Sequence, residues 1–462
     1  MDARGTQRLL DPLFTTETMR GIFSDHARVQ AMLDFEAALA RAEARAGIVP
    51  TVAATAIGAQ CRAELFDFEA LASGTAKAGS PVIPLIKQLT ARVAASDAEA
   101  ARHVHWGATT QDAMDTGLVL QLRAALASIG TDLERLSVAL AALARAHAGT
   151  PLAGRTWLQQ GPPVTLGLKA AGFLSAVERH RTRVAELEGG IATLQFGGAV
   201  GTLAALGPRS GEVATALADD LRLPLPDIAW HSHRDRIAEV ATTFGLLAGS
   251  LGKIARDVAL HSQTEVAELS EPVAEGRGGS STMPHKQNPV AAAVVLAAAA
   301  RAPGLVATML GAMIQEDERG LGGWHAEWET LPELVGLTAG ALHHLTDTMA
   351  GLRVDPARMA ANLEATHGLV FAEAVQMAVA EKAGRAAAQR LLETACRRAQ
   401  ADGRHLREVL ADDPTVGRHV SPEELERLFD PRRYIGAADA LVERVLARHT
   451  AVRARAPEET PS

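Results

Sequence analysis

Aromatic side chains make up only 3% of this 462-residue chain, with 10 Phe, 5 Trp and 1 Tyr. Sandwiches and barrels draw on aromatic and β-branched residues to fill their pleated, half-buried surfaces, so this scarcity argues against a β-rich fold and for helix. Cysteine is nearly absent as well. Cys61 and Cys396 are the only two and lie far apart, which excludes a disulfide framework and a thiolate zinc site. Positive charge is not in excess: 46 Lys and Arg against 54 Asp and Glu leave a net charge of -8, with no basic face for nucleic acid or an anionic membrane. The opening MDARGTQRLL carries no apolar signal core, and the longest apolar run, 290–300, is mostly alanine and reads as too short to cross a bilayer. Hydrophobic residues at 47% and charged residues at 22% are ordinary globular values. Together they imply a soluble, cytoplasmic, mostly helical protein.

Proline positions divide the chain. None occurs in 85–150, 164–207, 227–271 or 357–413, and long helices are expected only there. The clearest apolar stripe is Leu118, Leu122, Ala125, Ile129, Leu133, Leu136, Leu140 and Leu143, whose steps of three and four predict one long amphipathic helix over 116–147. A second, Met32, Phe35, Leu39, Ala42 and Ala46, stops at Gly47, a suitable C-cap. Asp355-Pro356 reads as an N-cap followed by a first-turn proline. These signals predict an all-α fold in three helical domains: an N-terminal domain over 1–113, a central bundle of long helices over 114–355, and a C-terminal domain over 356–462 with a disordered tail.

All five tryptophans, Trp106, Trp157, Trp230, Trp324 and Trp328, fall in short segments that interrupt the helical pattern, together with histidine, arginine and hydroxyl residues. That grouping suggests separated segments converging on one pocket. The segment GSSTMPHKQNP, 279–289, has the composition of a loop, and Asn288-Pro289 marks the start of another helix. Ser280, Ser281 and Lys286 put hydroxyls and a cation where a substrate anion can be held. His103 with His105, and His231 with His233, lack the spacing of a metal site, so neither a metal nor a cofactor is expected.

The loop GSSTMPHKQNP resembles the signature loop of the fumarase/aspartase superfamily. HWGATTQDAMDT (105–116) and RTWLQQGPPVT (155–165) are similar to two further motifs of that superfamily, in the same order. The resemblance implies a homotetramer around a bundle of long helices, with each active site drawn from three subunits. Two departures narrow it. Trp157 stands where most members carry a histidine after Arg-Thr, and indole is only a donor, with no acid function near neutral pH. Trp328 stands near the place of an arginine that holds nucleotide phosphate in the adenylosuccinate lyases. The first counts against an amine or purine leaving group, which must be protonated as it departs, and the second against a nucleotide substrate.

GRTWLQ, WHSHRDR (230–236), QEDERGLGGWHAEWETLPE (315–333) and the opening DPLFTTETMRGIFSD (11–25) resemble the lactone-forming cycloisomerases of the superfamily. The activity this implies is intramolecular addition of a carboxylate across a conjugated double bond of a carboxylated muconate, a tricarboxylate of aromatic-ring degradation. On alignment with the superfamily's catalytic serine, Ser280 is the proton-transfer group, with Lys286 as its rival. The expected substrate contacts are His105, Thr109, Thr110, Trp157, Gln159, Ser281 and Asn288, with Arg155, Arg234 and Arg319 as counter-charges, since guanidinium holds carboxylate in two-point contact. Gln287 and Thr110 depart from the commoner arginine and serine. Two other readings stay open: a superfamily lyase that expels nitrite from a nitro-dicarboxylate, and a non-catalytic helical scaffold of the same fold.

Overall fold

The computed structural model describes residues 8–272, 278–279, 283 and 285–455. Its longer helices are Asp25–Arg45 (α1), Thr110–Ala146 (α2), Leu166–Ile191 (α3), Asp235–His261 (α4), Val290–Gly311 (α5) and Gly323–Ala350 (α6), followed by Pro356–Glu364 (α7) and the final Ala438–Arg455 (α8). Strand is confined to two short antiparallel pairs among the described residues. Pro151–Thr156 (β1) pairs with Gln159–Thr165 (β2), and Leu269–Ser270 (β3) with Arg353–Val354 (β4).

The ends of α1 and α7 are set by local caps. Ser24 accepts a hydrogen bond from the Ala27 amide to cap α1, and Gly47 beyond its end has a φ of +68°. Asp355 caps α7 by accepting from Arg358 N, with Pro356 in the first turn. The stripe on α2 is buried, with Leu122, Ala125, Ile129, Leu133, Leu136 and Leu140 all at 0% exposure. At 37 residues α2 is about 55 Å long.

Proline is where the expectation fails. α5 contains Pro303 and α6 contains Pro332, so both helices run through a residue that lacks the amide the ladder needs. At Pro332 the carbonyl left without its amide partner belongs to Trp328, and Arg28 Nη2 donates to it at 3.1 Å. A side chain from α1 thus supplies the hydrogen bond that proline withholds.

Internal contacts divide the chain into two compact units. The first comprises Met1–Leu133, His180–Gly252 and Val294–His344; the second comprises Glu134–Arg179, Lys253–Ala293 and Leu345–Ser462. The boundaries fall inside the five long helices α2 to α6, so each unit is built from part of every one. Within the second unit, Phe371, Val375, Val379, Leu392, Leu406 and Leu410 form one apolar core. Leu152, Leu166, Leu269 and Met359 form another where the hairpin meets α3 and α7.

Among the described residues, two helices are long and apolar enough to cross a membrane by length and composition, α4 and α5. The short run at 290–300 therefore extends further than its composition suggested, into a 22-residue helix. In α4 the apolar window is 61% buried within the chain, as in a core helix, whereas in α5 it is 33% buried. The remaining two-thirds of the α5 window is only partly buried or exposed among the described residues.

Candidate active site

Three segments distant in sequence meet in the first unit around Asp112, the third helical residue of α2. Its carboxylate accepts from the Thr109 amide at 3.0 Å, from the Gly197 and Gly198 amides at 3.0 and 2.9 Å, and stands 2.7 Å from His231 Nε2. Taking the Thr109 amide is one half of a capping box. The rest ties the loops at 197–198 and 231 to the start of the helix. Gly197 and Gly198 are required there: a Cβ on Gly197 would lie 2.6 Å from that of Ala229, and one on Gly198 (φ +67°) would lie 2.8 Å from the Gly107 carbonyl oxygen.

With its amide engaged, Thr109 turns its hydroxyl to Arg319, whose Nη1 donates at 2.8 Å while Nη2 donates to the Ala199 carbonyl. The Ser232 hydroxyl donates to the Asp317 carbonyl at 2.6 Å. Thr110 begins α2, where the helix dipole favours an anion. His105 lies on the same loop, with its Nδ1 2.6 Å from Glu36 Oε1. The first unit therefore gathers His105, Thr109, Thr110 and Arg319 in one polar neighbourhood. The glycine segment at 197–201, which carries no ionisable residue, went unread in the sequence.

Arg234, expected as a substrate counter-charge, is held by two protein carboxylates. Its side chain is 1% exposed; it makes two hydrogen bonds to Asp115, at 2.7 and 3.1 Å, and two to Glu327, at 3.0 and 2.5 Å. Burial works against its charge, but the two carboxylates outweigh that and hold its pKa above the ordinary guanidinium value. Asp115 also accepts from Trp324 Nε1 at 3.1 Å, and the Arg234 guanidinium stands 5.0 Å from the Trp230 ring. Trp324 packs edge-on against Trp328 at 5.0 Å. Trp230 and Trp324 thus contact this ion cluster, and Trp328 packs on Trp324. Trp106 is 45% exposed on the His105 loop, and Trp157 belongs to the second unit.

In the second unit the corresponding hub is Glu268, with a fully buried side chain. Arg155 donates to it through Nη1 and Nη2 at 3.0 and 2.7 Å, Asn362 at 2.8 Å, and His261 Nδ1 lies 2.6 Å away. Arg155, expected on substrate, thus has both terminal nitrogens on a protein carboxylate and anchors the β1–β2 hairpin. Burial tends to raise the Glu268 pKa, but the bonds from His261, Arg155 and Asn362 prevail and hold it at about 2. A folded-state pKa below the unfolded value contributes stability above the unfolded pKa, near 4.3, and loses it as pH falls towards 2. Glu268→Gln should therefore cost about 2–3 kcal/mol at pH 7 and progressively less below pH 4. Urea unfolding of both proteins at pH 7 and pH 3 measures this; a gap that widens on acidification contradicts it.

The hairpin presents Trp157 at its tip. Thr156 pairs with Gln159, leaving Trp157 and Leu158 as a two-residue turn. Both have positive φ, 54° and 64°, the pattern of a type I′ turn that ordinarily calls for Asn-Gly. Trp157 is 97% exposed, Leu158 75%, and Gln159 is exposed beside them. Ser280 and Ser281 lie outside the described residues. At the neck of their loop the Asn288 amide donates to the Gly278 carbonyl at 2.9 Å, while Lys286 is exposed. Glu271 accepts from the Ala291 and Ala292 amides and caps α5, just beyond the loop. Lys286 and Asn288 line a cleft with Ser262, Glu268, Glu271 and Arg353.

The sequence pattern of the lyase family matches residues 14–304, and that of the adenylosuccinate lyase C-terminus matches 368–445. The chain belongs to the fumarase/aspartase superfamily of lyases. Within this superfamily it is 58% identical to 3-carboxy-cis,cis-muconate cycloisomerase of Pseudomonas aeruginosa, over 96% of this chain and 97% of the relative. The crystal structure of 3-carboxy-cis,cis-muconate lactonizing enzyme from Pseudomonas putida matches with a TM-score of 0.93 at 54% identity, covering 97% of this chain and 100% of that one. A nitrosuccinate lyase of Streptomyces davaonensis is 43% identical, over 95% of this chain and 94% of the relative. The superfamily's arrangement of long helices, expected from the three motifs, is the arrangement found.

Proposed function

We propose that this chain interconverts 3-carboxy-cis,cis-muconate and 4-carboxymuconolactone. One substrate carboxylate adds to the β carbon of a conjugated double bond, and a proton is delivered to the carbon α to a second carboxylate. In reverse, a base removes that α proton, the second carboxylate takes up the charge as an aci-carboxylate, and the ring carboxylate departs from the β carbon. The departing carboxylate has a pKa of about 4 and leaves unprotonated. The observation that carries this reading is Trp157: where a superfamily acid is expected, the hairpin presents an indole. The remaining needs are a proton carrier, assigned to Ser280 with Lys286 beside it, and positive or donor groups for the dianionic intermediate. Lys286, Asn288, Thr109, Thr110, His105 and Arg319 are assigned to the carboxylates, with Gln159 and Ser281 as further donors.

The site is proposed to be shared between three subunits of a homotetramer. An almost wholly exposed tryptophan on a strained turn, and an α5 apolar window only 33% buried, support it. The segments 1–113, 114–355 and 356–462 are proposed as the domains of each subunit, and the cytoplasm as its place of work. Purified protein should bleach the diene absorbance of carboxymuconate and release no nitrite from nitrosuccinate. The reverse pattern would select the nitrite-expelling alternative, and a fully active monomer in light scattering would remove the shared site.

If no leaving group is protonated, restoring histidine at 157 brings nothing useful. Trp157→His should lower kcat/KM for carboxymuconate by about 5- to 30-fold, the loss of a 1–2 kcal/mol apolar wall, without adding an ionisation near pH 6–7 to the rate profile. The chain's own unfolding midpoint should not move, because the ring touches little of this chain. A variant faster than the parent, with a rate governed by a group titrating near neutrality, would reverse the assignment.

A further inference from the structure

Glu36 has no part in the chemistry above, yet it lies on α1 with 1% of its surface exposed and its Oε1 2.6 Å from His105 Nδ1. Its Oε2 has no hydrogen-bond partner among the described residues. His105 holds a left-handed φ of +57°, which a side-chain-bearing residue adopts only when its surroundings impose it. The contact occupies Nδ1 and leaves Nε2 as the nitrogen able to meet a ligand, on the loop that also carries Thr109. We propose that Glu36 is a positioning residue for the reaction: it orients His105 and pairs with its positive charge, so that Nε2–H is offered as a cationic donor to a substrate carboxylate. The inference rests on the anionic substrate proposed above.

The groups around the pair agree. For His105, burial opposes the charged form, but the Glu36 charge and hydrogen bond, and then Asp112 on α2, outweigh it, and the imidazole titrates above its ordinary value. Asp112 is itself held by His231 and by backbone amides. Glu43, further along α1, is fully buried, and neither carboxyl oxygen has a hydrogen-bond partner among the described residues. Burial and then the Glu36 charge push it up to about 9, so it is neutral at pH 7 and does not compete for His105. The Cys61 thiol is also pushed up, by burial and then by Glu36 and Asp34, with Arg41 opposing, and adds no charge.

A raised folded-state value keeps the imidazolium present at low pH and loses it as pH rises, so removing Glu36 must hurt most on the alkaline side. Steady-state kinetics with carboxymuconate from pH 6 to 8.5 would be compared for the parent, Glu36→Gln, Glu36→Asp and Glu43→Gln. The His105 Cε1–H NMR resonance, identified by its loss in His105→Gln, would be titrated in parallel. Glu36→Gln should lie within about 2-fold of the parent in kcat/KM at pH 6 and fall roughly 10-fold or more at pH 8, mainly through KM, with the His105 midpoint lowered. Glu36→Asp should recover part of the alkaline loss, and Glu43→Gln should follow the parent throughout. A loss of equal size at every pH, or an unmoved His105 midpoint, overturns the proposal. If Glu36→Gln does not fold, the parent resonance decides: a midpoint at or below that of free histidine overturns it. The titration needs no substrate, so a parent that fails to turn over carboxymuconate defeats the functional reading and leaves the Glu36–His105 pairing still decidable.

Discussion

Arg234→Met should destabilise the folded chain by about 3–5 kcal/mol, the range for removing one partner from a buried ion pair. The variant leaves Asp115 and Glu327, each buried, facing one another with no cation between them. Burial already raises the Glu327 pKa, with Arg234 opposing and Asp115 adding to the rise. Without the guanidinium, at least one carboxyl must take up a proton to remain inside. The readout is the urea midpoint at constant slope. Replacing all three charged groups together by apolar residues of similar volume should be much milder, since desolvation of the cluster offsets much of its attraction. An Arg234→Met protein with parental stability and a raised KM would restore arginine 234 to the substrate.

Lys286→Met should lower kcat/KM by about 30- to 900-fold, equivalent to 2–4 kcal/mol of transition-state stabilisation. The substrate is a trianion near neutrality, and the reaction gathers further charge on one carboxylate before the proton arrives. A lysine at the rim of the cleft, exposed in the isolated chain, is suited to follow that charge. Its exposure also means that the folded chain should lose almost no stability, which separates this variant from Arg234→Met. Retention of more than about a third of the parental kcat/KM corresponds to less than 1 kcal/mol and would place Lys286 outside the site.

Features written over a few neighbouring residues were legible in the sequence. The α2 stripe, the glycine stop at Gly47, the cap at Asp355, and the start of α5 after Asn288-Pro289 all depend on spacings of one to four residues. The motifs were legible as patterns, but not the division of labour within them. Arg155 and Arg234 look like free cations because their carboxylates lie 113 and 119 residues away, a separation no local pattern encodes. Pro332 looks like a helix stop because Arg28, which repairs it, lies 300 residues from the carbonyl it serves. Glu36 and Asp112 escaped notice for the opposite reason: a lone carboxylate on an amphipathic helix reads as solvated surface, and only burial shows that it organises a site.

The turn at Trp157–Leu158 bears on any attempt to engineer the protein. Its two left-handed residues each cost of order 1 kcal/mol that glycine would largely avoid. The register of β1 with β2 is consequently maintained by the strand pairing and by the Arg155–Glu268 anchor, with little help from the tip. Thermostability screens and turn-optimisation rules rank positions by the strain they can relieve, and both would choose this tip early. An Asn-Gly tip would melt later and would also delete the indole that marks the proposed chemistry. Heat tolerance and turnover should therefore be scored separately at these two positions, because here an improvement in one is a poor guide to the other.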